Sequence, residues 1–266
     1  MFEARDLVLT YGGRSVIDGV SLTLRPGELT IVVGPNGAGK SSLLKLLTGE
    51  AVPSSGSARL DGQDLHRLHP ARLARRRAVL PQSAQLAFPF TVAEIVRLGL
   101  EAGGHRQSPE AVRAALARVG LPGFGARAYG ALSGGEQQRV HLARVLAQVG
   151  APTEGGEPRA LFLDEPVSSL DIRHQVDVLS IARRFAAAGG CAFAVLHDLN
   201  LSSGFADRLI VVSKGRIAAD GPPGRVLTND LMERVFGIAL RVNALPPHGV
   251  PFVLAQTLGE PVQATA

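Results

Sequence analysis

Residues 34–41 read GPNGAGKS, set between the apolar run LTIVVG (29–34) and a helix-forming stretch from Gly39 to Leu47. This segment constrains the fold more than any other. The run LTIVVG follows the turn Pro26-Gly27-Glu28 and reads as a central strand buried on both faces. Gly34, Gly37 and Gly39 let the backbone after it curl until successive N–H groups point inward at an anion. The helix that follows adds the partial positive charge of its N-terminus. A G-x-x-x-x-G-K-[S/T] pattern placed between a strand and a helix is a phosphate-binding loop. Pro35, Asn36 and Ala38 complete its backbone. Lys40 is a point charge suited to β- and γ-phosphates, Ser41 offers a hydroxyl to Mg²⁺, and Ser42 reaches a phosphate oxygen. A glycine-rich turn with a chance lysine does not account for the full match in this context.

Around that unit, strands and helices alternate. ARDLVLT (4–10) and VSLTLR (20–25) read as strands, and SARLDGQDL (57–65) as a strand, a turn and a short extension. From Thr91 to Val149 the apolar spacing becomes helical, and Thr91 with Glu94 forms a capping-box pattern. A helical lobe over about 88–149 is therefore expected. After it come strands at 160–165, 191–196 and 208–213, helices near 171–187 and 198–205, and a hairpin around Lys214-Gly215 that returns through 215–220. Such alternation predicts a mostly parallel sheet with crossover helices. APTEGGEPR (151–159) and the proline-bearing tail from Asn243 to residue 266 read as loops, leaving 1–242 as one domain.

Composition removes other classes. A chain of 266 residues, 45% apolar, can bury a sizeable core. Its only cysteine, Cys191, rules out an internal disulfide. The start, MFEARDLVLTYGG, lacks the basic flank and apolar run of a secretory signal. No stretch approaches the roughly 20 apolar residues of a membrane helix. A net charge of +5 comes from arginines spread along the chain, with one cluster at Arg72, Arg75, Arg76 and Arg77. That run reads as a solvated face, and no nucleic-acid partner is expected.

A second acidic site is needed to hold a metal and activate water. LFLDE (161–165) ends an apolar strand in two acids. Asp164 would orient Mg²⁺, while Glu165 points to the opposite side and could polarise the attacking water. Two acids alone could merely end a strand; downstream of the phosphate loop they gain meaning.

With these parts in place, LSGGEQQRV (132–140) resembles the signature motif of ABC ATPases. Residues 34–41 resemble that family's Walker A and 161–166 its Walker B. The resemblance runs from about residue 2 to 240, and it implies a P-loop NTPase of α/β class. The expected parts are a mostly parallel central sheet, an antiparallel β subdomain and an inserted helical lobe. It further implies that Tyr11 stacks on adenine and that Gln82 is the Q-loop glutamine reaching Mg²⁺ and the permease. By the same resemblance, Ser169-Leu170-Asp171 is the D-loop, and His197 hydrogen-bonds the γ-phosphate. Singly, Tyr11 reads as a surface aromatic, Gln82 as a loop residue and His197 as structural; their joint order carries the functional reading. The remaining histidines, His66, His69, His105, His141, His174 and His248, match no motif. Val167 and Ser169 depart from commoner residues at positions that carry no chemistry in the family.

The resemblance implies catalysis by Glu165 with Lys40, Gln82 and His197, and ATP with Mg²⁺ as cofactors. ATP would be sandwiched between the Walker A loop of one copy and Ser133, Gly134 and Gly135 of a second. QSAQLAFPFTVAEIVRLGL (82–100) and HDLNLSSGFADRLIVVSKGRI (197–217) resemble the ATPases of iron-chelate, haem and cobalamin importers. The long loop at 150–160 and the ending LPPHGVPFVLAQ (245–256) resemble the haem group, with ferric siderophore and then cobalamin as alternatives. A soluble ABC protein outside transport is the remaining class. The implied assembly is a homodimer on the cytoplasmic face of a bacterial inner membrane. It would work under two permease subunits and, indirectly, with a periplasmic haem-binding protein.

Overall fold

A computed structural model describes residues 1–82 and 88–254. The chain opens with two antiparallel strands, β1 (Phe2–Tyr11) and β2 (Arg14–Thr23), and enters the core on β3 (Leu29–Val33). β3 feeds α1 (Lys40–Thr48). β4 (Ser55–Leu60) and β5 (Gln63–Asp64) return to β1 and complete an antiparallel sheet ordered β2-β1-β4-β5. α2 (Pro70–Arg76) leads into β6 (Arg77–Leu80), and then α3 (Val92–Gly103), α4 (Pro109–Arg118) and α5 (Gly134–Val149) form the helical lobe. A short hairpin, β7 (Thr153–Glu154) and β8 (Glu157–Pro158), precedes β9 (Ala160–Asp164). α6 (Ile172–Ala187), β10 (Cys191–Val195), α7 (Leu199–Phe205), β11 (Arg208–Ser213) and β12 (Arg216–Gly221) follow. α8 (Pro223–Val226) and α9 (Asn229–Phe236) come last.

The second sheet is ordered β12-β11-β3-β10-β9-β6, parallel except for the β12 edge. Every residue of β3, β9 and β10 is buried, which is why these strands read as unbroken apolar runs rather than alternating ones. Successive side chains still go to opposite faces. Leu29, Ile31 and Val33 join the core shared with the helical lobe and α6, whereas Val32 joins the core under α1 and the antiparallel sheet. Phe2 packs edge-on against Phe162 at 5.4 Å between ring centres, and Phe162 meets Phe193 at 5.7 Å, so aromatic contacts tie the two sheets together.

The structure departs from the sequence pattern in places. β2 starts at Arg14, earlier than the strand expected at 20–25; its first residues, two exposed polar ones followed by Val16 and Ile17, lack a strand's alternation and are held by pairing with β1. The expected loop at 151–159 contains the β7–β8 hairpin, whose turn residues Gly155 and Gly156 adopt φ of 57° and 80°. The basic run is not one solvated face. Arg76, on α2, is buried and ion-paired to Asp61 at 2.9 Å and Glu157 at 2.7 Å. Arg77 donates to the Thr48 carbonyl at 2.5 Å. Arg159, also buried, donates to the Val149 carbonyl at 2.6 Å and pairs with Glu154, so two arginines staple the hairpin to the domain.

Among the described residues, no helix is long and apolar enough to cross a membrane. From Asn243 to Leu254 the backbone forms no helix or strand. Residues 83–87, within the stretch 82–100 noted above, and residues 255–266 of the tail lie outside the described residues.

Candidate active site

β3, β10 and β9 are parallel neighbours, with Val195 level with both Val32 and Asp164. Their C-terminal ends therefore bring three loops to one place: 34–41, 165–171 and 196–198. Loops at the C-terminal edge of a parallel sheet are where ligands bind in such folds.

The phosphate loop leaves β3 at Gly34, whose φ is 151°. A Cβ there would lie 2.0 Å from the Val212 carbonyl oxygen on β11, so only glycine fits between the loop and the sheet. Lys40 opens α1, is only 6% exposed, and donates Nζ to the carbonyls of Gly34 at 2.8 Å and Pro35 at 3.0 Å. Burial pushes its pKa down, against the pull of Glu165 and Asp164. The start of β2, just past the β1–β2 turn, borders the loop: the Val16 carbonyl oxygen lies 2.6 Å from where a Cβ on Gly39 would sit. Tyr11 stands exposed at that turn.

Ser41 donates Oγ to Asp164 Oδ1 at 3.0 Å. Asp164 ends β9, nearly fully buried. Burial raises its pKa; the Ser41 hydrogen bond works against that and the Glu165 charge adds to it. The neighbouring donors are hard oxygens, the Ser41 hydroxyl and the Asp164 carboxylate; Gln82, expected at the metal, instead directs its amide nitrogen to Glu165. No group of three His, Cys, Asp or Glu capable of holding a metal occurs among the described residues. One carboxylate plus a hydroxyl beside a phosphate cradle fits Mg²⁺, which takes its remaining ligands from phosphates and water.

Glu165 follows with a positive φ of 48°, and its N–H donates to the Val195 carbonyl at 3.1 Å. This left-handed turn swings its side chain away from Asp164. Its carboxylate accepts from Gln82 Nε2 at 2.8 Å and from His197 Nε2 at 2.6 Å. Gln82 and His197, given roles at the metal and the γ-phosphate by the family resemblance, thus both touch Glu165.

Ser133 is the N-cap of α5 and forms a capping box with Glu136: the Ser133 N–H donates to the carboxylate at 2.8 Å and the Glu136 N–H to the hydroxyl at 3.3 Å. Ser133 and Gly135 share a surface groove with Ser169, Leu170, Asp171 and His174. Asp171 caps α6 through the His174 N–H at 2.9 Å, and that backbone bond is the main cause of its lowered pKa. Among the described residues, no hydrogen bond joins 133–135 to 34–42. The groove that Ser133 and Gly135 line is shared with residues 169–174 and not with the phosphate loop.

Sequence patterns alone gave no role to Gln138. It donates Nε2 to the Pro166 carbonyl at 2.7 Å and the Glu165 carbonyl at 3.4 Å, and it accepts from the Ser169 hydroxyl. The available signal was the glutamine in LSGGEQQRV together with the hydroxyl at 169.

The family model described as "ABC transporter" matches residues 17–168. The hemin import ATP-binding protein HmuV of Rhizobium meliloti (strain 1021) is 53% identical, covering 97% of this chain and 99% of the relative. The protein of the same name from Roseobacter denitrificans is 51% identical over 95% of this chain and 96% of the relative. Among solved structures, an ATP-binding subunit of an ABC transporter superposes with a TM-score of 0.73 at 26% identity, covering 90% of this chain and 94% of that one. The dimeric ABC transporter cassette MJ0796 gives 0.72 at 26%, covering 84% and 99%. Motifs, fold and relatives agree: the chain belongs to the ABC transporter family.

Proposed function

We propose that this chain is the ATP-hydrolysing subunit of an ABC importer and that its cargo is hemin. The observation that carries the catalytic part is the engagement of Glu165 by Gln82 and His197 beside a complete phosphate loop. The cargo rests on similarity to proteins named for hemin import, since nothing in the site is built to recognise a porphyrin.

In this reading residues 1–242 are the ATPase domain and 243–266 a tail. The backbone N–H groups of 34–41 and the start of α1 cradle the β- and γ-phosphates, and Lys40 exchanges its two carbonyl partners for phosphate oxygens. Gly34, Pro35, Asn36, Gly37, Ala38 and Gly39 supply that cradle, Ser42 a further hydroxyl, and Tyr11 a ring for adenine. Ser41, Asp164 and Gln82 would hold Mg²⁺, which when bound neutralises charge developing on the phosphate oxygens. Glu165 accepts a proton from the attacking water, and His197 donates a hydrogen bond to the γ-phosphate.

Ser133 and Gly134 are exposed, and none of Ser133, Gly134 and Gly135 makes a hydrogen bond to its own phosphate loop. They suit the γ-phosphate of a nucleotide held by a second copy, offering a hydroxyl and a helix N-terminus. Asp171 lies at the same groove. The solved dimeric relative supports that arrangement. Such a homodimer would sit peripherally on the cytoplasmic face of the inner membrane, beneath two permease subunits and served from outside by a hemin-binding protein.

Growth of a strain lacking this gene tests the cargo. Loss of growth on hemin as sole iron source, restored by the wild-type gene and not by Glu165→Gln, is expected. Normal growth on hemin with loss on a ferric siderophore or of cobalamin uptake would overturn hemin as cargo. Unchanged growth on all of them would contradict the importer reading.

A further inference from the structure

The backbone between Glu165 and α6 is held by two turn hydrogen bonds, from the Ser168 N–H to the Glu165 carbonyl at 3.4 Å and from the Leu170 N–H to the Val167 carbonyl at 3.2 Å, and by side chains. The Glu165 carbonyl accepts from Gln138 Nε2 at 3.4 Å and from Ser168 Oγ at 3.2 Å, and the Pro166 carbonyl accepts from Gln138 at 2.7 Å. Gln175 serves the Leu170 carbonyl at 2.9 Å and the Val167 carbonyl at 3.4 Å. Glu165 needs this support, because a non-glycine residue at φ 48° persists only where its surroundings over-determine it.

Gln138 differs from the other supports in what lies at its far end. It belongs to α5, whose N-cap is Ser133. Its amide is oriented from both sides: the Ser169 hydroxyl donates to Oε1, which turns Nε2 toward the carbonyls of 165 and 166. An alanine at 169 could not make that bond, so the hydroxyl has a structural consequence.

We propose that Gln138, oriented by Ser169, is a positioning residue for Glu165 and joins the signature helix to the base within one subunit. A helix end that engages a partner's nucleotide thereby sets the backbone of the residue that attends the chain's own nucleotide. Two ATP sites across a dimer would be coupled through one side chain per subunit. The inference rests on Glu165 being the general base.

Steady-state ATP hydrolysis by the purified full chain tests it with Gln138→Glu, Ser169→Ala, their double variant and Glu165→Gln. Gln138→Glu keeps the size and the acceptor for Ser169 but sets an oxygen against the two carbonyls. Its kcat is expected to fall on the order of 10- to 100-fold, with KM for ATP and the melting temperature near wild type. Ser169→Ala, which removes only an exposed hydroxyl, should lower kcat by a smaller factor, and the double variant should match Gln138→Glu rather than multiply the effects. An unchanged kcat in a folded Gln138→Glu protein, or a rise in KM alone, overturns the strut while a silent Glu165→Gln upholds the base. Wild-type turnover by Glu165→Gln overturns the base itself, and the strut with it.

Discussion

Lys40 and Asp164 are both about nine-tenths buried or more at the end of the core sheet, and each has its pKa displaced toward the neutral form, chiefly by burial. Function places charges there that the fold would not choose. For Asp164 the folded pKa lies above the ordinary carboxylate value of 3.8. The folded state therefore binds the proton more tightly, and stability is lost as pH rises from that ordinary value through the folded pKa. Asp164→Asn should melt at a higher temperature than wild type at neutral pH, the advantage vanishing below pH 3.8, where both states are protonated. Asparagine can still accept from Ser41, so the gain reports the charge. The same variant should lose ATP hydrolysis. A melting temperature lower than wild type at neutral pH would show that the ionised carboxylate is not a burden.

At the scale of elements, what the sequence made legible was what local chemistry decides. The strands β3, β9 and β10 announced themselves because both of their faces are buried, and α3 because Thr91 and Glu94 cap it reciprocally. The order of motifs singled out Gln82, Glu165 and His197 separately, but not the contact of Glu165 with the other two, since the residues meet by strand register rather than by spacing. The beginning of β2, the β7–β8 hairpin and α9 were missed for a shared reason. Each is short or largely exposed, and its form is set by partners distant in sequence. Arg76 illustrates it: within a basic run it looks like surface, and only the fold brings Asp61 and Glu157 to it. Its removal leaves two carboxylates that can still reach water, so Arg76→Ala should cost about 2 kcal/mol. The melting temperature should drop by several degrees with KM for ATP unchanged. No change in melting would mean that the pairs are incidental surface contacts.

At the scale of the whole molecule, the lack of any hydrogen bond between the signature motif and the phosphate loop among the described residues is the feature that points to a partner. In the proposed reading each chain carries half of two sites, so hydrolysis would depend on association and loss of the γ-phosphate contacts would favour release. Ser133→Arg places a long cation at the N-cap of α5; it should leave ADP binding by the single chain intact and abolish ATP-driven association. Association equal to wild type would count against a shared site. The most direct measurement is the molar mass and bound nucleotide of Glu165→Gln in Mg²⁺ and ATP, by light scattering on a sizing column alongside a phosphate-release assay. A dimer retaining two uncleaved ATP molecules, against a monomer in ADP, is the expected result. A chain that stays monomeric in ATP, or one that releases phosphate at the wild-type rate, would contradict it.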